Sequence, residues 1–169
     1  MRLFIAVWPP DEVLDLVGAL PRPKVVGARW TTRDQWHVTL RFLGEVDEGQ
    51  LPDVVAVLAG LGLRSVDVTL GPAVERLNPR IVSVSVLGLE EIGPAVVGAT
   101  RSFGKPPEDR PFRGHLTLAR LRGVRKWELA EALGAPISAA WRVDVLHVVR
   151  SRLSPHGARY DTVERVALS

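Results

Sequence analysis

The segment His37-Val38-Thr39-Leu40 is answered in the second half of the chain by His115-Leu116-Thr117-Leu118, and each runs on into further apolar residues of strand-like character. Side chains two apart in an extended chain point to the same face. Each copy therefore offers one imidazole and one hydroxyl to a common surface. The motifs begin at residues 37 and 115, 78 positions apart in a chain of 169, which is the offset expected of a duplicated unit. Such a chain is expected to fold into two related halves that face one another. The space between them would hold two imidazoles and two hydroxyls, a set suited to acid-base chemistry at a phosphate.

The residues around the motifs fill in that frame. Residues 2–7 read as a strand; Pro9, Pro10 and Asp11 open a short amphipathic helix to about Leu20, with Asp11 and Glu12 suited to its first turn. The Pro-Arg-Pro stretch at 21–23 ends it, 28–31 reads as a brief strand, and 36–43 is the first motif strand, closed by Gly44. Leu51, Val54, Val55, Leu58 and Leu61 recur at helical spacing across 47–61, with Pro52 tolerated in the first turn. Strands are predicted at 65–70 and 80–87 and a helix at 90–103. The polar, proline-rich loop 104–110 then leads into the second motif strand, 112–121. A helix near 126–133, a long strand through Val149 and a last strand within 160–168 complete the chain. On the long strand, His147 shares its expected face with Trp141, Val143, Val145 and Val149, and so reads as a packed histidine; His156, between Pro155 and Gly157, reads as a turn residue. These elements predict an α+β fold: a pseudo-two-fold pair of antiparallel sheets with helices on the outside and the site in the cleft between lobes. No linker is long enough to separate two independent units, so residues 1–169 are expected to form one bilobal domain.

Composition narrows the chemistry. There is no cysteine, which removes disulfides, thiolate nucleophiles and Cys-based zinc sites and is compatible with a cytoplasmic protein. The longest apolar stretches, 54–63 and 143–149, fall well short of the roughly 20 residues of a membrane-spanning helix. The first ten residues lack the apolar segment and cleavage site of a signal peptide. A monomer without membrane association is expected. The formal net charge is +3, and among 22 basic residues only Lys24, Lys105 and Lys126 are lysine. An arginine-rich surface attracts anions and suits phosphate through its planar fork, although a GC-rich genome produces the same bias. No Walker loop, His-Glu-x-x-His or EF-hand loop occurs, and two histidines with threonine neighbours are a poor metal site, so neither a metal nor a cofactor is expected.

The two motif regions, 37–44 and 111–120, resemble the 2H phosphoesterase superfamily, and within it the RNA 2',3'-cyclic phosphodiesterases, historically called 2'-5' RNA ligases. The opening Arg2-Leu3-Phe4-Ile5-Ala6-Val7 and the late Ser151-Arg152-Leu153-Ser154-Pro155, with Gly157 and Tyr160, are similar to the ends of that family, so the likeness spans nearly the whole chain. One departure is Gly114, where the family usually has proline before the second histidine. Glycine frees the backbone there but removes no functional group.

Opening a 2',3'-cyclic phosphate needs a base to take a proton from attacking water and an acid to protonate the departing ribose oxygen. His37 and His115 meet both needs, and Thr39 and Thr117 are placed to hold the phosphate oxygens. The resemblance implies cleavage of the bond to O3', leaving a 2'-phosphate, with His37 as acid and His115 as base. It also implies a 2'-5' ligase activity in which the roles exchange. Arg120 lies five residues beyond His115 and would point to the opposite face of a flat strand. Its phosphate-binding role, which the resemblance favours, therefore requires a bulge near Ala119; otherwise it is a surface arginine. Phe42, equally far beyond His37, either stacks on a nucleobase or belongs to the core. Trp30 and Trp36, flanking the first motif, are candidates for the groove wall. The expected partners are RNA with 2',3'-cyclic phosphate ends, such as tRNA fragments, or small cyclic nucleotides. An RNA-binding module that grips a phosphate without turnover is the alternative.

Overall fold

In the computed structural model, which describes residues 1–169, the chain runs β1 (Arg2–Val7), α1 (Asp11–Gly18), β2 (Ala28–Trp30), β3 (Val38–Glu45), α2 (Leu51–Ala59), β4 (Val66–Asn78), β5 (Ile81–Leu87), α3 (Ile92–Ala99), β6 (His115–Leu121), β7 (Ala139–Val143), β8 (Val145–Ser154) and β9 (Gly157–Ala167). All strand pairs are antiparallel, in the order β7-β4-β5-β6-β3-β1-β8-β9, with β2 added to β6. The motif strands β3 and β6 meet through a single register pair, Val38 with Leu116. One lobe is therefore β3-β1-β8-β9 and the other β7-β4-β5-β6-β2, joined beside the two histidines.

The chain crosses between the lobes after each motif. From β3 it passes through α2 to β4 in the other lobe, and from β6 it returns by way of β7 to β8, which pairs with β1. Each lobe is thus built from both halves of the sequence. The helices cross as well: α1 follows β1 yet packs on β7, and α3 follows β5 yet packs on β3. Leu3, Ile5 and Val7 of β1, Val82, Val84 and Val86 of β5, and Leu116 and Leu118 of β6 belong to one buried apolar cluster that runs beneath both lobes. Burying each such side chain stabilises by about 1.5–3 kcal/mol.

Three expected elements differ. The strand read at 65–70 continues to Asn78, because a register shift between Leu70 and Val74 absorbs the Gly71-Pro72 pair that reads as a turn. The helix read at 126–133 is only a 3-10 turn, Lys126–Leu129, followed by further turns. The long strand is broken at Asp144 into β7 and β8, which stand toward opposite ends of the sheet. His147 accordingly lies far across the sheet from Trp141 and Val143. It pairs with Ala6 and Arg165, and its Nδ1 lies 3.3 Å from Thr162 Oγ1.

Candidate active site

Both motif strands bulge immediately after their threonine. Along β3 the pairing with β1 steps from Ala6–Thr39 to Ile5–Arg41, which leaves Leu40 as the extra residue. Along β6 the pairing with β5 steps from Ser83–Thr117 to Val82–Ala119, which leaves Leu118. An extra residue shifts the alternation of faces by one. His37, Thr39 and Phe42 therefore face the cleft from β3, and His115, Thr117 and Arg120 face it from β6. Leu40, Leu43, Leu118, Ala119 and Leu121 turn into the core instead. The bulge gives Arg120 the face that a flat strand denies it.

Thr31, just beyond β2, holds the second bulge in place. Its amide donates to the Leu118 carbonyl at 2.8 Å, and its hydroxyl lies 2.9 Å from the carbonyls of both Thr117 and Leu118. Trp36 Nε1 donates to that hydroxyl at 3.0 Å from a buried position. Of the two candidates for the groove wall, Trp36 is a core residue supporting Thr31 and Trp30 lines the groove.

The imidazoles are held alike and surrounded differently. Each Nδ1 faces the main-chain carbonyl two residues earlier, Gln35 at 2.7 Å for His37 and Arg113 at 2.9 Å for His115. A carbonyl only accepts, so Nδ1 carries the proton and Nε2 presents its lone pair in the neutral ring. The Nε2 of His37 lies 2.9 Å from Thr39 Oγ1. His37 is enclosed by aromatic rings, with centroids of Phe4, Trp8 and Tyr160 at 4.9, 5.1 and 5.2 Å. Burial pushes its pKa down to about 4 despite the Gln35 hydrogen bond, and the charge of Arg120 adds to the effect. His115 is also depressed, first by burial and then by Arg113, Arg110 and Arg120. Arg120 is thus close enough to act on both rings.

The cleft is an open groove of about 1770 Å³. Phe42, 38% exposed, stands at one end with the Arg2 guanidinium 5.2 Å from its ring centroid. Beside it Arg41 is buried and donates to the carbonyls of Phe42, Phe103 and Lys105, which fastens the loop after α3 to β3. No group of three or more His, Asp or Glu side chains that would suit a metal ion is assembled in the fold.

A family model described as LigT like Phosphoesterase matches residues 7–74 and 90–160. The chain belongs to this family. A curated relative named RNA 2',3'-cyclic phosphodiesterase from Thermus thermophilus is 31% identical over 188 residues, covering 99% of this chain and 90% of that protein. Another of the same name, from Methanothermobacter thermautotrophicus, is 30% identical over 179 residues and covers 97% of each chain. A crystal structure of a Thermus thermophilus protein aligns with a TM-score of 0.78 at 29% identity, covering 99% of this chain and 98% of that one. E. coli LigT complexed with 3'-AMP shares the fold, with a TM-score of 0.82 at 22% identity over 99% of this chain and 98% of that one.

In this LigT-like phosphoesterase the departure at Gly114 has a steric cause. Gly114 is buried against β5, its carbonyl accepts from the Val86 amide at 3.0 Å, and any Cβ there would collide with the Val86 carbonyl oxygen. Sequence reasoning had no signal for Gln35, which orients His37 through its carbonyl while its amide donates to the Ala158 carbonyl at 2.8 Å. It also missed Arg29, which lies opposite Arg120. The aromatic enclosure had a partial signal, since the family likeness included both Phe4 and Tyr160.

Proposed function

We propose that this phosphoesterase opens the 2',3'-cyclic phosphate at the end of an RNA to a 2'-phosphate, without a metal, by acid-base catalysis between His37 and His115. The observation that carries the reading is the matched tether: two imidazoles across one groove, each with Nδ1 held by a main-chain carbonyl and each accompanied by a threonine hydroxyl on the same face. His115 Nε2 takes a proton from water as the water oxygen bonds to phosphorus. The P–O3' bond breaks on the opposite side and His37 delivers its proton to O3'. Thr39, Thr117 and Arg120 hold the equatorial oxygens as their charge grows. Phe42 offers its exposed ring to the nucleobase.

His37 is neutral in the free protein at pH 7, because burial and Arg120 disfavour its cation. A bound phosphate anion offsets the charge of Arg120 and shifts His37 toward imidazolium, against the burial that depresses it first. Substrate binding thus raises the fraction of His37 that carries the proton. When a ribose 5'-hydroxyl replaces water, the same acid and base make a 2'-5' linkage, which is the proposed ligase activity. The reading places the chain in the cytoplasm as a monomer that works as one bilobal domain on RNA ends, tRNA fragments among them.

The test incubates an RNA oligonucleotide ending in a 2',3'-cyclic phosphate with the purified protein in excess EDTA, beside His37→Ala and His115→Ala. Conversion to a 2'-phosphate by the wild type, reduced about 10²–10⁴-fold in each variant, is the expected result. Binding without turnover would make the protein an RNA-binding module. Turnover surviving either substitution would refute the assignment of acid and base.

A further inference from the structure

The motif strands leave the centre of the groove in opposite directions and end in different chemistry. Five residues beyond His37 stands Phe42; five beyond His115 stands Arg120, whose cross-strand partner on β2 is Arg29. Residues directly opposed in an antiparallel pair share a face, and like charges so placed repel. Both arginines are exposed and line the groove. Neither is ion-paired, whereas Arg33, Arg110, Arg113, Arg142 and Arg152 each have a carboxylate partner. The three-residue strand β2 pairs with no strand except β6, so its place in the sheet sets Arg29 beside Arg120. Across the groove, Gly157 at the tip of the β8–β9 hairpin leaves room for the Arg29 guanidinium, which a Cβ there would strike.

The shape of a ribonucleotide supplies the ligand. Its cyclic phosphate spans O2' and O3'; the base leaves from C1' on one side of that edge, and C5' leaves from C4' on the other. With the phosphorus between the histidines and the base toward Phe42, the 5' substituent points to the opposite end of the groove. We propose that Arg29, next to Arg120 on the neighbouring strand, binds the 5'-phosphate or 5'-phosphodiester of the nucleotide whose cyclic phosphate Arg120 holds. With one phosphate group on each arginine, the two anions offset the repulsion between the paired cations. The inference rests on the proposed cyclic phosphodiesterase reading and adds a subsite that selects RNA ends over free nucleoside cyclic phosphates.

The test compares kcat/KM for adenosine 2',3'-cyclic phosphate bearing a 5'-hydroxyl, the same compound bearing a 5'-phosphate, and a dinucleotide ending in the cyclic phosphate. The wild type is expected to favour both 5'-substituted substrates by about tenfold, the factor of one charge-assisted contact worth roughly 1.4 kcal/mol. Arg29→Ala should abolish the preference, Arg29→Lys should restore part of it, and added salt should erode it. Equal use of all three substrates by the wild type would overturn the subsite while leaving the reaction in place. A loss in Arg29→Ala that is equal on all three would also overturn it, by making Arg29 a general contributor. No turnover of any of them would overturn the reaction and the subsite together.

Discussion

Lowering the pH should destabilise the fold through His37 in a way that can be isolated. Its folded-state pKa is pushed down to about 4, first by burial and further by Arg120 and His115. In the unfolded chain an imidazole titrates near 6.5. A base with a depressed folded pKa binds its proton preferentially in the unfolded state. Its stabilising contribution is therefore complete above about pH 6.5 and is lost as the pH falls toward 4. At about 1.4 kcal/mol per pKa unit, a gap of about 2.5 units corresponds to roughly 3 kcal/mol lost by pH 4. His115 and His147, also depressed mainly by burial, act in the same direction. The assay is urea denaturation of the wild type and His37→Gln from pH 7.5 to 4, with the histidine ring resonances followed by NMR over the same range. The difference between the two stability curves should change by about 3 kcal/mol between pH 7 and 4. Parallel curves, or a His37 resonance titrating near 6.5, would refute the argument that the aromatic enclosure keeps this ring neutral. Inorganic phosphate should raise the His37 titration midpoint, because an anion in the groove offsets Arg120.

Removing that arginine should act on the same rings. Arg120→Ala is expected to raise the pKa of both His37 and His115 by NMR, leaving burial as the main depressing cause, and to lower kcat/KM on a cyclic phosphate by about 10²-fold or more. Thr31→Val deletes the hydroxyl that braces the β6 bulge and should cost about 1–3 kcal/mol in urea denaturation. It should also weaken turnover in proportion to the loss of Arg120 from the cleft, and Thr31→Ser should restore both. Gly114→Ala forces a Cβ against the Val86 carbonyl and should cost about 1–3 kcal/mol, read as a Tm lower by roughly 2–4 °C for each. EDTA should leave the wild-type rate unchanged; inhibition reversed by a divalent cation would overturn the metal-free mechanism.

The pieces legible in the sequence were those decided locally. Two His-x-Thr strands, the strand at 2–7 and the helical spacing through Leu51 and Leu58 all follow from side-chain periodicity, and the motifs pointed to the family. What was not legible depends on partners distant along the chain. Nothing around Asp144 says that Trp141 will pair beside Val68 while His147 pairs beside Ala6. The bulges at Leu40 and Leu118 are invisible to an alternation count, because Val38 to Phe42 alternates without a break and Leu118-Ala119 also fits a continuous strand. Only the requirement that Arg120 share a face with His115 signalled one of them. Gln35 contributes through its carbonyl, which carries no mark in the residue type.

In the proposed mechanism the duplication also accounts for one motif supplying both an acid and a base. The local geometry is the same in both copies, from the Nδ1 tether to the bulge after threonine, and an arrangement with only that much would hold two equivalent histidines. The difference arises because the chain crosses between lobes after each motif. The crossing brings β8 and β9 beside β1, and with them Tyr160 against Phe4 and His37. Around the other ring, the loop before β6 sets Arg110 and Arg113 near His115. Burial depresses both rings; beyond it His37 feels the charges of Arg120 and His115, of which a bound phosphate offsets the first, while His115 feels Arg113 and Arg110 as well as Arg120. The first is suited to give a proton and the second to take one. The strand ends diverge in the same manner, to Phe42 on one side and Arg120 on the other, so the groove that the duplication made symmetric acquires the direction a ribonucleotide needs.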